Sequence, residues 1–349
     1  MTEGQGVSLG YRSIFGLRDE AVYGAGLATT TSISGTSYFE ATTFSPVIEI
    51  EELKSEEMNT SRAYTRRFQM NRSVSGSIEK YLNPEDGIKL LWHSIGGNIV
   101  STGTAATGFT HTITPNETNQ VTASGTTTSS LSLLGRKGTT DGKVYKGARV
   151  DGCTISGEIG SPITASYEII GQDIGSVTAL TDTAVSFSTA RPFLFKDAKL
   201  QYAASVSALT STAEIKITNF EIGIANNIDA DQRAMGQDTV VDLPAGRRDV
   251  TLGLTMRYDT TTAYDRFING LDGAARLVIE SAELTGNTST ASPFTLEFTM
   301  PKVYWNNADP EISEEGAVTI SPELTCIQGD TTATAYDISV KLINDTEAY

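Results

Sequence analysis

Arg72-Ser73-Val74-Ser75-Gly76-Ser77-Ile78 decides the fold, because the chain carries a second version of it, Arg248-Asp249-Val250-Thr251-Leu252-Gly253-Leu254. The copies lie 248 − 72 = 176 residues apart. The same offset carries Ile48 onto Ile224, Val74 onto Val250, Ile78 onto Leu254, Ile88 onto Tyr264 and Leu91 onto Phe267. Identity is thin, yet the order of elements is kept: a strand, a long polar loop, an alternating strand, then a short helix. Two β-rich copies on one chain point to a symmetric assembly rather than to a catalyst.

Working outward, Val47-Ile48-Glu49-Ile50-Glu51 alternates with period two, which predicts a half-buried strand with Ile48 and Ile50 inward. A polar loop follows over 54–67, after which Val74, Ile78 and Leu82 alternate with Ser73, Ser75, Ser77 and Glu79. Asn83 reads as a helix N-cap and Pro84 as the first helical residue, with Glu85 and Asp86 complementing the dipole. Ile88, Leu91, Trp92 and Ile95 then form one apolar stripe, and Gly96-Gly97 stops the helix. In the second copy, 215–228 reads as a strand with Phe220, Ile222 and Ile224 on one face, 229–246 as a polar loop, and 260–268 as a helix. Between those last two, Val250, Leu252, Leu254 and Met256 mark the alternating strand. Further strands are expected over 145–159, 163–170, 274–284, 294–304 and 337–343, and Gly316-Ala317-Val318-Thr319-Ile320-Ser321 is similar to Gly160-Ser161-Pro162-Ile163-Thr164-Ala165.

At 349 residues the chain exceeds the usual single core, so two domains are expected. Abundant Thr and Ser, 32 Gly and short alternating apolar bursts are the composition of an all-β protein. Residues 1–45 form an arm whose aromatics, Tyr11, Phe15, Tyr23, Tyr38 and Phe39, are too few for a core of their own and should bury against a neighbour. The formal net charge of −16 repels phosphates and lacks the basic footprint of a nucleic-acid reader. No apolar run reaches the roughly 18 residues that span a bilayer, so no membrane partner is expected. The start, Met1-Thr2-Glu3-Gly4-Gln5-Gly6, has neither basic flank nor apolar stretch, which predicts synthesis in a cytoplasm without a signal peptide.

Catalytic raw material is poor. His93 and His111 have no Cys or acidic partner at ligand spacing and read as structural or surface residues. Cys153 and Cys326 sit in alternating segments and read as buried free thiols. No nucleophile elbow, zinc-helix motif or phosphate loop occurs. Asn227, Asp229 and Asp231 copy the opening of a calcium loop, but Gln232 stands where such a loop needs glycine, so a solvated turn is expected. The pairs Glu56-Glu57 and Glu314-Glu315 are sequence neighbours and suit solvated loops. No catalytic residue, cofactor or metal is expected. A carbohydrate-binding module is also a β-sandwich, but it presents an aromatic platform, and Trp92 and Trp305 look committed to a core and a strand end.

Three blocks resemble the tail-tube proteins of long-tailed bacteriophages and related archaeal viruses: Gly16-Leu17-Arg18-Asp19-Glu20-Ala21-Val22-Tyr23-Gly24, residues 49–97, and Tyr145-Lys146-Gly147-Ala148-Arg149-Val150 through Gly171. Together they cover most of 10–175, and the duplicated half extends the pattern to about 343. The resemblance implies an all-β chain with two tandem tail-tube-like units at 46–175 and 190–349, the first carrying a Thr/Gly/Ser-rich insertion over 98–143. It implies a virion tail subunit, made in the host cytoplasm, that polymerises into stacked rings around passing viral DNA without reading its sequence. Other tail proteins would be its further partners. Two units per chain imply three chains per ring with pseudo-sixfold symmetry in place of six.

With Ile48, Ile50, Val74, Ile78, Ile222, Ile224, Val250 and Leu254 facing the core, the opposite face would line the lumen with Glu49, Glu51, Ser75, Ser77, Glu79, Glu221, Thr251 and Thr255. Glu56, Glu57, Arg62, Arg66 and Arg67 in the first loop, and Asp229, Asp231, Arg233 and Arg247 around the second, would register ring on ring, as would the N-terminal arm. The competing reading is a β-sandwich binding module, either a carbohydrate-binding adhesin or a virion decoration protein.

Overall fold

Strand periodicity governs nearly the whole chain. The computed structural model describes residues 13–26, 37–58, 60, 62–116, 121–123, 126–128, 130–137, 141–177, 185–212, 214–258, 262–285, 291–310 and 318–347. Tyr11, Glu314-Glu315 and the Gly316-Ala317 start of the similar segment lie outside those residues. The first strands are β1 (Ile14–Glu20), β2 (Ser37–Phe39), β3 (Thr43–Phe44), β4 (Val47–Lys54) and β5 (Arg67–Tyr81), followed by α1 (Ile88–Ile95). Next come β6 (Gly97–Thr104), β7 (Gly108–Thr114), β8 (Val121–Ala123), β9 (Thr126–Thr128), β10 (Ser130–Lys137), β11 (Asp141–Glu158), β12 (Thr164–Gly171) and β13 (Asp173–Val177). The second half holds β14 (Ala198–Ala203), β15 (Glu214–Ile215), β16 (Ile217–Ala225), β17 (Asp249–Arg257), α2 (Thr262–Asn269), β18 (Gly273–Leu284) and β19 (Pro293–Trp305). It closes with β20 (Thr319–Ile320), β21 (Glu323–Ile327) and β22 (Ser339–Asn344). The chain is all-β, as its composition predicts.

Pairing in space runs β4-β5-β12-β11-β16-β17-β21-β19, all antiparallel. One face of this run is apolar, with Val74, Ile78, Cys153, Ile155, Phe220, Ile222, Ile224, Val250, Leu252 and Leu254 buried. Against that face lie α1 and a second set of strands, in which β19 also pairs β18 and β22, and β22 pairs β7. The long strand β19 belongs to both sets, while the first half of β11 pairs β10 and β13. A single apolar core therefore runs through both halves.

The register repeats what the sequence echo suggests. Phe44 faces Ile78 and Ile48 faces Val74, while Phe220 faces Leu254 and Ile224 faces Val250, so every pair is displaced by 176. A second offset, 326 − 171 = 155, relates β12 and β11 to β21 and β19. Val74 pairs Gly171 where Val250 pairs Cys326, and Arg149 pairs Ile170 where Tyr304 pairs Thr325.

Several expectations need correction. Ile50 is 42% exposed, because β4 pairs only β5 among the described strands. Asn83 is not the helix cap. Its Oδ1 accepts the Glu85 N–H in a local turn, and Gly87, left-handed at φ 68°, precedes a helix that starts at Ile88. The helix buries more than one stripe, since Leu90, His93 and Ser94 are also covered. The arm does not wait for a neighbour: β1 pairs β10 and β2, Leu17 and Phe39 are buried, and Phe15 stacks on Phe44 at 4.5 Å between centroids. Within 98–143 the described residues form β6 to β10 and the start of β11, and β7 is the partner of β22.

Asp19 on β1 bonds His93 Nε2 and the Lys89 ammonium of α1. Burial raises its carboxyl, but the bond and charge of His93, with Lys89, outweigh that and bring the pKa down to about 2. A depressed carboxylate stabilises the fold above its ordinary value and loses that contribution as pH falls toward 2. The side chain is a third exposed, so about 1 kcal/mol is expected after solvent screening. Urea midpoints at pH 5 and pH 2.5 should differ less in Asp19→Asn than in the parent; an equal difference would remove Asp19 from the account.

Candidate functional site: a continuous polar sheet face

The face of the eight-strand run turned away from the core is built by alternation alone. Each inward apolar residue sends its neighbours outward, and antiparallel register lines those neighbours up from strand to strand. Ser75 faces Val47 and Ile170 in register, Ser77 faces Glu168, Glu79 faces Ser166, and Ser156 faces both Thr164 and Glu221. Glu221 faces Gly253, Thr251 faces Thr325, and Gly253 faces Glu323. One surface thus carries Glu49, Glu79, Glu168, Glu221 and Glu323 among hydroxyls.

These side chains are held by short polar contacts. Ser75 Oγ donates to Glu49 Oε1 at 2.6 Å, Asn71 Nδ2 to Glu51 Oε2 at 2.8 Å, and Thr43 Oγ1 to Glu79 Oε2 at 2.9 Å. Ser77 Oγ lies 3.0 Å from Ser45 Oγ, and Thr255 Oγ1 lies 3.4 Å from Ser321 Oγ. Glu221 is exposed between buried Phe220 and Ile222. Sequence reasoning missed Glu168, Glu323 and Ser156, although the alternation of 163–170 already placed Glu168 opposite the buried Tyr167. What it lacked was the pairing that sets them beside Ser77 and Glu221. Arg149 stands in the same row, opposite Ile170, but it is buried under the β16–β17 loop, where Nη1 donates to Leu243 O at 2.7 Å. Burial lowers its pKa, and the Asp242 charge opposes that.

The two polar loops differ. In the first, Glu56, Glu57, Arg62, Arg66 and Arg67 are all exposed; Arg66 lies 3.7 Å from Glu57, and Arg67 pairs Glu52. The second folds back on the first half of the chain. Arg72 N donates to Asp238 O, Gln172 Nε2 to Val240 O, and Ile228, Val240 and Leu243 are buried there. Asp229, Asp231 and Arg247 stay exposed, while Arg233 reaches Arg72 O and Asp238 O at 3.4 Å. The Asp231 N–H and the Gln232 amide hold the Asp229 carboxyl below its usual value. The arginines that open the two echoed stretches both act as ties: Arg72 to Asp238 at 3.0 Å, and Arg248 to both oxygens of Asp337 and to Ile95 O.

His93 and His111 are buried structural residues. The second is bonded by Ser101, Asn344 and Thr346 O, and burial lowers its pKa. Cys153 and Cys326 are free and buried; burial pushes the Cys153 thiol up to about 12. Trp92 and Trp305 are buried. Among the described residues no three His, Cys, Asp or Glu side chains are grouped to hold a metal ion, and no helix is long and apolar enough to cross a membrane.

An extended antiparallel sheet with one apolar and one hydroxyl-carboxylate face, whose end strand β4 is paired on one side only among the described strands, belongs to the class of sheet-building structural proteins. Within that class, the model of the phage tail tube protein family matches residues 10–331, and the chain belongs to that family. No curated protein matches the chain.

Proposed function

We propose that the chain is a tail-tube subunit made of two copies of one unit, and that three chains close a ring of pseudo-sixfold symmetry. Rings stack into a conduit for viral DNA, with the polar sheet face as its wall. The observation that carries this reading is the conserved register: the four strands β4-β5-β12-β11 and the four strands β16-β17-β21-β19 pair alike at fixed offsets. The ladder between β11 and β16 then joins one unit to the next inside the chain. Repeating that junction between chains closes the sheet and leaves no free edge.

The wall would carry Glu49, Glu51, Ser75, Ser77, Glu79, Glu221, Thr251 and Thr255, joined by Glu168 and Glu323. Carboxylates and hydroxyls repel phosphates and give no counterion-release binding, so DNA slides without adhering. Ring-to-ring contacts fall to the exposed first loop with Glu56, Glu57, Arg62, Arg66 and Arg67, and to Asp229, Asp231, Arg233 and Arg247. Electron cryomicroscopy of the purified protein should yield hollow rings or tubes, with three 37.2 kDa chains per ring. Six chains per ring, or the glutamates on the outer surface, would overturn the assignment.

A further inference from the structure

The geometry points to a defined seam between copies, in which β4 of one chain adds to the chain end of β19, at 307–310, in the next. The proposal deepens the ring reading and rests on it. Inside the chain the template is the β11–β16 ladder, where Gly152 faces Ala225, Cys153 faces Ile224 and Thr154 faces Gly223. Shifting β11 by 155 and β16 by 176, the offsets that the rest of the register obeys, converts those pairs into Asn307–Glu49, Ala308–Ile48 and Asp309–Val47.

Three independent features fit this register. The first is burial. Val150 and Cys153 are buried with two less covered residues between them at a bulge, and Trp305 and Ala308 are buried with exposed Asn306 and Asn307 between them. The segment after β19 therefore reproduces the bulge of β11, with Asn306 N donating to Glu323 O of β21, although no described strand pairs its other side.

The second is the free edge. Leu131 is the last β10 partner of β11, at Ala148, and Gly273 is the last β18 partner of β19, at Val303. Beyond Ala148 the place is taken by β16; beyond Val303 no described strand takes it. On the other side β4 pairs only β5 among the described strands, and Val47, Ile50 and Leu53 are exposed on it.

The third is the next pair along. Ile155 faces Ile222, which translates to Pro310 facing Pro46. Ser45 N donates inward to Ser77 O, so strand alternation directs the nitrogen of Pro46 to the open edge. A proline there puts no N–H on that edge, and Pro310 in the translated register puts none opposite it, so the pair forms no ladder bond and leaves no N–H unmet. The occupant is a second copy of this chain because the template for the register is the chain's own β11–β16 ladder.

Non-bonded antiparallel pairs bring Cα atoms to about 4.5 Å, within disulfide reach. Glu49→Cys with Asn307→Cys should therefore link assembled subunits almost completely on mild oxidation, giving covalent multimers on non-reducing gels. Val47→Cys with Asp309→Cys should do the same. Glu49→Cys with Asp309→Cys, two residues out of register, and each single variant should remain at least tenfold less linked. Tubes that form normally while neither matched pair links, or while the shifted pair links better, would overturn the seam and leave the ring reading standing. Failure of the parent chain to assemble at all would overturn both.

Discussion

Glu20→Ala is expected to lower the unfolding free energy by about 3–5 kcal/mol, since it strips one acceptor from five donors in a dry site. Glu20 closes β1 and is only 4% exposed. Its carboxylate accepts the Gly24 N–H at 3.0 Å, the Gly26 N–H at 3.2 Å and the Gly147 N–H at 3.1 Å, the Ser130 hydroxyl at 2.6 Å, and the Ser132 hydroxyl. Those donors come from the turn after β1 and from β10 and β11, so one side chain fastens three segments. Gly24 and Gly26 are left-handed, at φ 67° and 65°, and this conformation lets the turn aim both N–H groups at one carboxylate. Alanine leaves the Gly147, Ser130 and Ser132 donors buried and unmet, and takes the acceptor from the part-buried Gly24 and Gly26 N–H groups. Glu20→Gln keeps the shape but turns a donor amide toward donors, so it should recover only part of the loss. Ser132→Ala, which removes a single bond, should cost about 1 kcal/mol. Denaturant midpoints compare the three, and a Glu20→Ala protein within 1 kcal/mol of the parent would show that water replaces the carboxylate.

Lys80→Met should cost a similar 3–5 kcal/mol, for the opposite reason: it leaves a carboxylate buried without its cation. Lys80 and Asp86 are 2% and 5% exposed, and Nζ sits 3.4 Å from Asp86 Oδ2 and 2.5 Å from Asp86 O. Burial presses Lys80 down and Asp86 up toward neutrality, and the attraction between them opposes both shifts. The pair anchors the bend between β5 and α1, and the Glu40 N–H also donates to Asp86 Oδ2. The double variant Lys80→Met with Asp86→Leu should be more stable than Lys80→Met alone, because no charge then remains in the apolar site. Additive losses in unfolding titrations of the two single variants and the double would deny the coupling.

These two sites show where sequence reading stops. Lys80 shares the parity of Val74, Ile78 and Leu82, where a charge is unexpected without a partner, and Asp86 read as a helix-dipole residue. Only the structure shows that Asp86 is brought to Lys80, with Nζ 5.6 Å from the Phe39 ring centre. Glu20 lay in a stretch already set apart by its resemblance to tail-tube proteins, yet its donors are scattered over more than a hundred residues. Ile50 failed differently. Alternation gives it the parity of Ile48, but it stands 42% exposed because β4 pairs only β5 among the described strands.

The sequence by itself determined the all-β class, the echo at 176 residues and which side chains share a face, because each rests on strand period or on comparing the chain with itself. Tertiary structure decided that the arm enters the chain's own core, that β7 meets β22, that the second loop folds back while the first projects, and which edge stays open. Those outcomes depend on which distant strands compete for one ladder. Local periodicity carries no information about that competition.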